Sequence, residues 1–410
     1  MAVTALYVHV PFCAQKCRYC DFDSRSFASC DLDAALDSYF EQLFARLDAF
    51  GKAGALDQIR TVYVGGGTPS LAGECLVELA RRIRAWCAPV EFTCEANPES
   101  LTAELATALA KVGVTRVSLG VQTLDNTELT AIGRIHDADR ALAAIATVKD
   151  AGLDVSCDLM CGLPGQTAES WKRTLEGVLA AVPHHVSVYP LTLEVGTPLY
   201  RMACRDESLE PDEDFQAACM DVARELLGAA GYHPYEVASY ALDGHECAHN
   251  IAYWTGRGYL GLGRSAAGML DAGDFARLAG LFCGALARGD AYRVRLVQRD
   301  DAATTFDAEC LSQREAAAED LMLACRMTRG VGSDLLVRSA NIIPEDELAA
   351  ACDRALELGL ASWVSDDAKG HAGRVTSKDV IEGRTRARLA PTHLGWLDGN
   401  VLFELFWGLA

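Results

Sequence analysis

An alternation constrains this chain more than any other feature. From the N-terminus to about residue 240, short runs rich in β-branched and aromatic residues alternate with longer stretches of helical periodicity. That is the pattern of repeated βα units around a parallel sheet. Strands are expected at Leu6 to Val10, Thr61 to Val64, Glu91 to Glu95, Arg116 to Gly120, Asp154 to Met160 and His185 to Pro190. Helices are expected between them, at Leu32 to Phe50, Glu74 to Trp86, Thr102 to Lys111, Asp137 to Asp150 and Glu169 to Ala181. Six such units fit a barrel, complete or not, or an open doubly wound sheet, and periodicity alone does not separate these.

Further along, a helix is expected from Asp212 to Ala230, then a Gly- and aromatic-rich stretch from Tyr253 to Gly263 that reads as tight turns where backbone passes close to something. Beyond about residue 305 the pattern becomes helices at Gln313 to Thr328 and Pro344 to Leu358, strands at Leu360 to Val364 and Gly373 to Val375, and a last helix from Thr392 to Phe406. The expected division is therefore a core over 1–240, a linking segment over 241–304 and a C-terminal domain over 305–410. A chain of 410 residues has room for this, since single cores stop growing at roughly 250–300 residues.

Composition removes several classes. Half the residues are hydrophobic and 23% are charged, a globular balance rather than a disordered one. The net charge of -20 opposes a surface built on phosphate neutralisation, so no nucleic-acid partner is expected. No basic leader with a long apolar run precedes Pro11, and no stretch reaches the roughly 18 apolar residues of a membrane span. A cytoplasmic protein is expected, with at most peripheral contact with a membrane. Sixteen cysteines spread over a large chain without an export signal are mostly buried thiols that pack like small hydrophobes.

Three of them are different. Cys13, Cys17 and Cys20 fall within eight residues, just after the first expected strand. A loop that short can wrap its sulfurs around one metal centre, as iron–sulfur ligands or as part of a zinc site. A structural zinc site wants four ligands, and Cys30, the nearest further cysteine, belongs to another local segment. Three ligands on a four-iron cluster leave one iron open, and the amino and carboxylate groups of S-adenosylmethionine can chelate it. The bland alternative is three unrelated core cysteines.

With this spacing, and with Tyr19 just before Cys20, the chain resembles the radical S-adenosylmethionine superfamily. The likeness runs nearly end to end with the oxygen-independent coproporphyrinogen III oxidase-like family and, within it, with the HemW-type haem chaperones. It implies an α/β fold, a partial (β/α)6 radical-SAM barrel with a C-terminal helical, winged-helix-like domain. It also implies a 4Fe-4S cluster on Cys13, Cys17 and Cys20, and S-adenosyl-L-methionine in a pocket formed by Gly66, Gly67 and Thr68 of the Gly65-Gly-Gly-Thr-Pro69 turn, with Tyr7, Glu95, Gln122, Arg134 and Asp158. The chemistry suits these roles: carboxylates and an amide can hold hydroxyl and amino groups, and a guanidinium can pair with a carboxylate. Each taken alone is more often an ordinary turn, cap or surface residue.

Two positions separate branches of the family. Its porphyrinogen dehydrogenases carry a fourth cysteine where this chain has Phe22, and Cys20-Asp21-Phe22 is the form of the haem chaperones. His249-Asn-Ile-Ala-Tyr253-Trp254 reproduces the motif linked there to haem, which makes His249 the expected haem ligand and Cys247 the alternative. One position departs: Ala267 stands where the family usually has His. The resemblance implies haem as cargo, an apo-haemoprotein acceptor such as a membrane respiratory enzyme, an electron donor such as flavodoxin or ferredoxin, and room for a homodimer. The alternative is a radical oxidoreductase acting on a porphyrinogen.

Overall fold

The computed structural model describes residues 2–26, 29–286, 289–365 and 375–410. Six parallel strands stand side by side in chain order: β1 (Val3–Val10), β2 (Thr61–Gly66), β3 (Glu91–Ala96), β4 (Arg116–Gln122), β5 (Asp154–Cys161) and β6 (His185–Pro190). Helices α1 (Ser29–Lys52), α2 (Glu74–Trp86), α3 (Ala103–Lys111), α4 (Ala138–Asp150) and α5 (Ala168–Ala180) cross back between them. Burial on both faces explains why these strands read as apolar runs: Leu6, Val8, Val62, Val64, Phe92, Val117, Val155 and Val186 are all fully buried. The helices start where the sequence supplies caps. Thr102, Asp137 and Thr167 each accept an amide of the first turn, and Thr167 forms a reciprocal box with Ser170.

The stretch expected to be turns is instead a strand, β7 (Gly258–Leu262), running parallel to β1 on the side away from β2. Its glycines serve a close approach rather than a bend. A Cβ on Gly261 would lie 2.3 Å from the carbonyl oxygen of Ala267 in the next strand. That strand, β8 (Ala267–Asp271), then β9 (Arg293–Gln298) and β10 (Phe306–Leu311), extend the same sheet antiparallel. Residues expected to link two domains are therefore built into the main sheet, and their Leu260, Leu270, Val294 and Leu296 join its core. Helices α6 (Glu213–Ala229) and α7 (Ala248–Trp254) follow β6, and at the opposite edge Ser239–Ala241 pairs antiparallel with β6. Among the described residues the two end strands of the sheet are not paired with each other, so the barrel is partial.

A second core gathers α8 (Gln313–Ala324), α9 (Ser333–Ala340), α10 (Glu345–Glu357) and α11 (Gly399–Trp407) around Leu321, Leu336, Leu348, Cys352, Leu402 and Phe406. β11 (Ala361–Ser365) pairs with β12 (Ala387–Pro391), a strand the sequence did not suggest. The strand expected at Gly373 to Val375 falls mostly outside the described residues, and Val375 itself is not in a strand. α8 ends four residues before the expected Thr328, because the following turn is captured by the main domain, where the Thr328 amide donates to Tyr235. The last expected helix is broken at Asp398 into His393–Leu397 and α11. No helix among the described residues is long and apolar enough to cross a membrane.

Candidate cofactor site and its neighbouring cavity

Parallel βα sheets gather functional groups at the carboxyl ends of their strands, and the cysteine loop leaves β1 at that end. Its backbone is sewn onto the turn after β4: the Arg18 amide donates to Ile132 O (2.9 Å) and the Gln15 side chain to Gly133 O (3.0 Å). The glycine turn after β2 is registered on the same loop, Gly67 N donating to Val10 O (2.9 Å) and Thr68 N to Phe12 O (2.7 Å). A Cβ on Gly67 would stand 2.6 Å from Phe12 O and 2.9 Å from Cys13 Sγ. Only glycine leaves that cradle open.

The three sulfurs line one cavity of about 290 Å³ with Gly66, Gly67, Thr68, Glu95, Gln122, Arg134 and Asp158. Nine of the residues expected from sequence to bind cluster or cofactor are thus joined by Gln122, whose backbone takes a left-handed φ of 66° to end β4. Cys13 and Cys20 have thiol pKa values pushed up, by burial first and also by the neighbouring Cys17, that of Cys20 to about 11. Arg134 places Nη1 3.3 Å from Cys17 Sγ, while Nη2 donates to Asn97 Oδ1 (2.9 Å) and to Gly120 O. Burial pushes Glu95 up to about 7 and Asp158 up to about 6, and the Asp158 charge adds to the shift on Glu95. The thiols of Cys13 and Cys20 and the two raised carboxyls around one space are penalised in their charged forms, and a cationic centre relieves that penalty. The donor set therefore fits an iron–sulfur cluster with a cationic sulfonium ligand.

Sequence reasoning missed the residues that knit this set together. Asn97 Nδ2 donates to Thr68 Oγ1 (3.0 Å) as its oxygen accepts from Arg134. Ser118 Oγ donates to Asp158 Oδ2 (3.0 Å), and Tyr63 OH donates to Glu95 Oε1 (2.9 Å), whose other oxygen accepts Gly66 N (3.0 Å). Tyr63 stands two residues before Gly65 on the same strand, a signal that alternation along β2 carries.

Behind Tyr63 lies a larger cavity of about 530 Å³, walled by Tyr7, Tyr63, Tyr253, Trp254, Tyr259 and Met269. Tyr63 lines both spaces. Tyr7 belongs to this second cavity and does not line the first: its ring stacks on Tyr63 at 6.4 Å, and its hydroxyl is paired with His9 Nδ1 (2.9 Å). His249 also lines it, but only 1% of the residue is exposed. Both ring nitrogens are engaged, Nδ1 with Thr61 Oγ1 and Nε2 with Tyr253 OH, each at 3.0 Å, and burial pushes its pKa down to about 3. Cys247 is a buried thiol bonded to Glu91. Ala267 faces the same cavity and offers no donor.

At the amino ends of the strands Asp154, His184 and His245 converge within 4.8 Å of one another. His184 Nδ1 accepts the Val155 amide (3.1 Å), so in the neutral ring Nε2 carries the proton and faces Asp154. His245 Nδ1 is hydrogen-bonded to Asp154 Oδ2 at 2.8 Å, and His184 Nε2 stands 3.8 Å from Asp154 Oδ1.

A three-cysteine loop and a glycine turn in register at the mouth of a six-strand parallel half-barrel define a radical S-adenosylmethionine protein. The Radical SAM superfamily matches residues 7–178. A heme chaperone HemW from Bacillus subtilis (strain 168) is 34% identical over 270 residues, 64% of this chain and 70% of the relative. One from Synechocystis is 35% identical over 337 residues, 80% of this chain and 79% of the relative. The chain belongs to this family of HemW-type radical SAM proteins. The structure of coproporphyrinogen III oxidase (HemN) from Escherichia coli superposes with a TM-score of 0.73 at 19% identity, over 99% of this chain and 90% of that one, and shares the fold.

Proposed function

We propose that this protein is a haem chaperone that carries a 4Fe-4S cluster on Cys13, Cys17 and Cys20, binds S-adenosyl-L-methionine beside it, holds haem in the larger cavity and passes it to an apo-haemoprotein. The observation that carries the reading is the pair of cavities sharing Tyr63 as their common wall. One has the polar donor set of a cluster site. The other is mainly apolar and aromatic with Arg257, Arg293 and Glu319 also on its wall, is of a size that suits a macrocyclic ligand, and is bordered by the His249–Trp254 motif.

When bound, the cluster supplies an electron to the sulfonium, which breaks a carbon–sulfur bond. The chain's own residues do the holding. Gly66 and Gly67 admit a ligand close to backbone, Glu95 and Asp158 face its cationic groups, and Arg134, kept protonated by Cys17, Glu99 and Tyr19 around it, is positioned for a carboxylate. Glu95 joins the two sites, because the oxygen that accepts from Tyr63 belongs to the carboxyl that also holds the glycine turn.

The test is anaerobic reconstitution followed by two parallel assays, haemin uptake with transfer to an apo-haemoprotein, and product analysis with coproporphyrinogen III. Stoichiometric uptake and transfer support the chaperone. Conversion of coproporphyrinogen to protoporphyrinogen in place of transfer would establish the oxidoreductase reading instead. Flavodoxin or ferredoxin serves as the electron donor in the second assay, and mass measurement of the reconstituted protein decides whether it is a homodimer.

A further inference from the structure

On the reading that Cys13, Cys17 and Cys20 hold a 4Fe-4S cluster, we propose that Asn97 is a positioning residue for it: one side-chain amide orders hydrogen bonds received by two of the three cysteine sulfurs and thereby raises the reduction potential of the cluster. Asn97 Oδ1 accepts from Arg134 Nη2 (2.9 Å), and Asn97 Nδ2 donates to Thr68 Oγ1 (3.0 Å). Arg134 in turn places Nη1 3.3 Å from Cys17 Sγ, and the Thr68 hydroxyl donates to Cys13 Sγ at 3.7 Å. The direction of these bonds follows from the donors. A guanidinium carries no acceptor, so the oxygen of Asn97 faces Arg134 and its nitrogen faces Thr68. Thr68 Oγ1 accepts from that nitrogen, which leaves its own proton for Cys13.

The amide is fixed by its own main chain. Asn97 follows β3 directly, its N–H donates to Ser70 Oγ (3.3 Å), and its carbonyl accepts the Ser100 and Leu101 amides at 3.1 and 3.2 Å. Thr68 is 2% exposed, so water does not compete for its hydroxyl. Other donors to these sulfurs come from elsewhere: Ser24 reaches Cys13 and the Phe22 backbone reaches Cys20. Arg134 has a second anchor in Gly120 O, whereas Thr68 Oγ1 has only Asn97 and Cys13 as partners among the described residues. The Cys13 arm therefore depends most on Asn97. Arg134 Nε is buried without a partner and stays available to a cofactor carboxylate. Hydrogen bonds to cluster sulfurs are one of the levers that set the potential, and outer partners orient the ligands themselves. A donor draws negative charge from a thiolate and so favours the reduced, more negative cluster. That cluster is then a weaker source of an electron for a sulfonium.

The experiment reconstitutes the full-length protein anaerobically, counts iron and acid-labile sulfide per chain, and measures the midpoint potential by redox titration followed by electron paramagnetic resonance, without S-adenosylmethionine. Asn97→Ala is expected to hold a cluster of more negative potential, so that at a fixed solution potential the ratio of reduced to oxidised cluster falls about fivefold or more, the scale of one hydrogen bond. Thr68→Val, which keeps the branched shape and removes the hydroxyl, should shift the potential the same way. Because Asn97 acts through Thr68, Asn97→Ala should shift it less in the Thr68→Val background than in wild type. If Asn97→Ala holds no cluster, Asn97→Asp takes its place: it still accepts from Arg134 but draws the Thr68 proton away from Cys13, and its added charge acts equally in both backgrounds, so the part of the shift lost in Thr68→Val reports the coupling. A cluster-bearing Asn97 or Thr68 variant with the wild-type potential, or an Asn97 shift equal in both backgrounds, would overturn the inference and leave the cluster reading intact. Wild type without iron and sulfide near one cluster per chain would remove the cluster reading itself.

Discussion

At the scale of single residues, Glu95 shows how the site stores a demand for positive charge. Burial pushes its carboxyl up to about 7 in the folded chain, against roughly 4.3 when unfolded. The folded state therefore holds a proton that the unfolded chain has released between those values. The contribution is fully present below about pH 4 and lost as pH rises through 7. In protein free of cluster and cofactor, Glu95→Gln should gain about 1–3 kcal/mol over wild type between about pH 5 and pH 8, read from denaturant melts at the two pH values. A flat difference would mean that Glu95 is ionised already. Adenosylmethionine binding should rise over the same interval in wild type and stay level in the Gln variant. Replacing Cys13, Cys17 or Cys20 by Ala should abolish cluster assembly with little effect on folding, measured as iron and acid-labile sulfide per chain. These three residues and Gly66 to Thr68 were legible because their signal is local spacing. The engagement of His249 was not, since Thr61, its partner, lies 188 residues away. Tyr63, Asn97 and Ser118 escaped for the same reason: their roles are made by strands that meet only after folding.

Among elements, the cysteine loop is held by contacts that its own sequence does not supply. Asp23 accepts from Arg264 (2.7 Å) and from Ser265, on the turn between β7 and β8, and His9 Nε2 pairs with Asp23 O (2.8 Å). Arg25 grips Asp301 with both nitrogens, at 3.0 and 3.1 Å. Half-exposed ion pairs of this kind contribute about 1 kcal/mol or less to global stability. Arg264→Ala should therefore leave the melting temperature nearly unchanged and speed the loss of cluster iron to a chelator. Equal iron loss from wild type and variant would show that the clamp does not order the loop. Gly67→Ala should be more severe, because its new methyl group collides with Phe12 O and Cys13 Sγ. β7 was misread from sequence because glycine normally marks a bend, whereas here Gly261 lets a neighbouring carbonyl come close. β12 was missed because Ala387-Arg-Leu-Ala-Pro391 is short and its pairing partner is remote in the chain.

Over the whole molecule, the two cores are joined by buried charge. Arg293 on β9 binds Asp320 of α8 through two 2.7 Å contacts, and Arg295 reaches the adjacent Glu319. Removing one member of such a set leaves the others buried without compensation, at a cost of about 3–5 kcal/mol. Arg293→Leu should accordingly separate one thermal transition into two, with the C-terminal helices melting first in calorimetry. A single transition at the wild-type temperature would show the seam to be held by packing alone. The six-strand half-barrel was readable because strands buried on both faces write continuous apolar runs, but the way residues 258–311 complete the sheet was hidden in glycines and alternation. Tyr63, standing between the two chambers with its hydroxyl on Glu95, gives them a shared partition. Thermodynamic linkage then requires reciprocity: by whatever factor adenosylmethionine alters the grip on a porphyrin next door, the porphyrin must alter the grip on adenosylmethionine by the same factor.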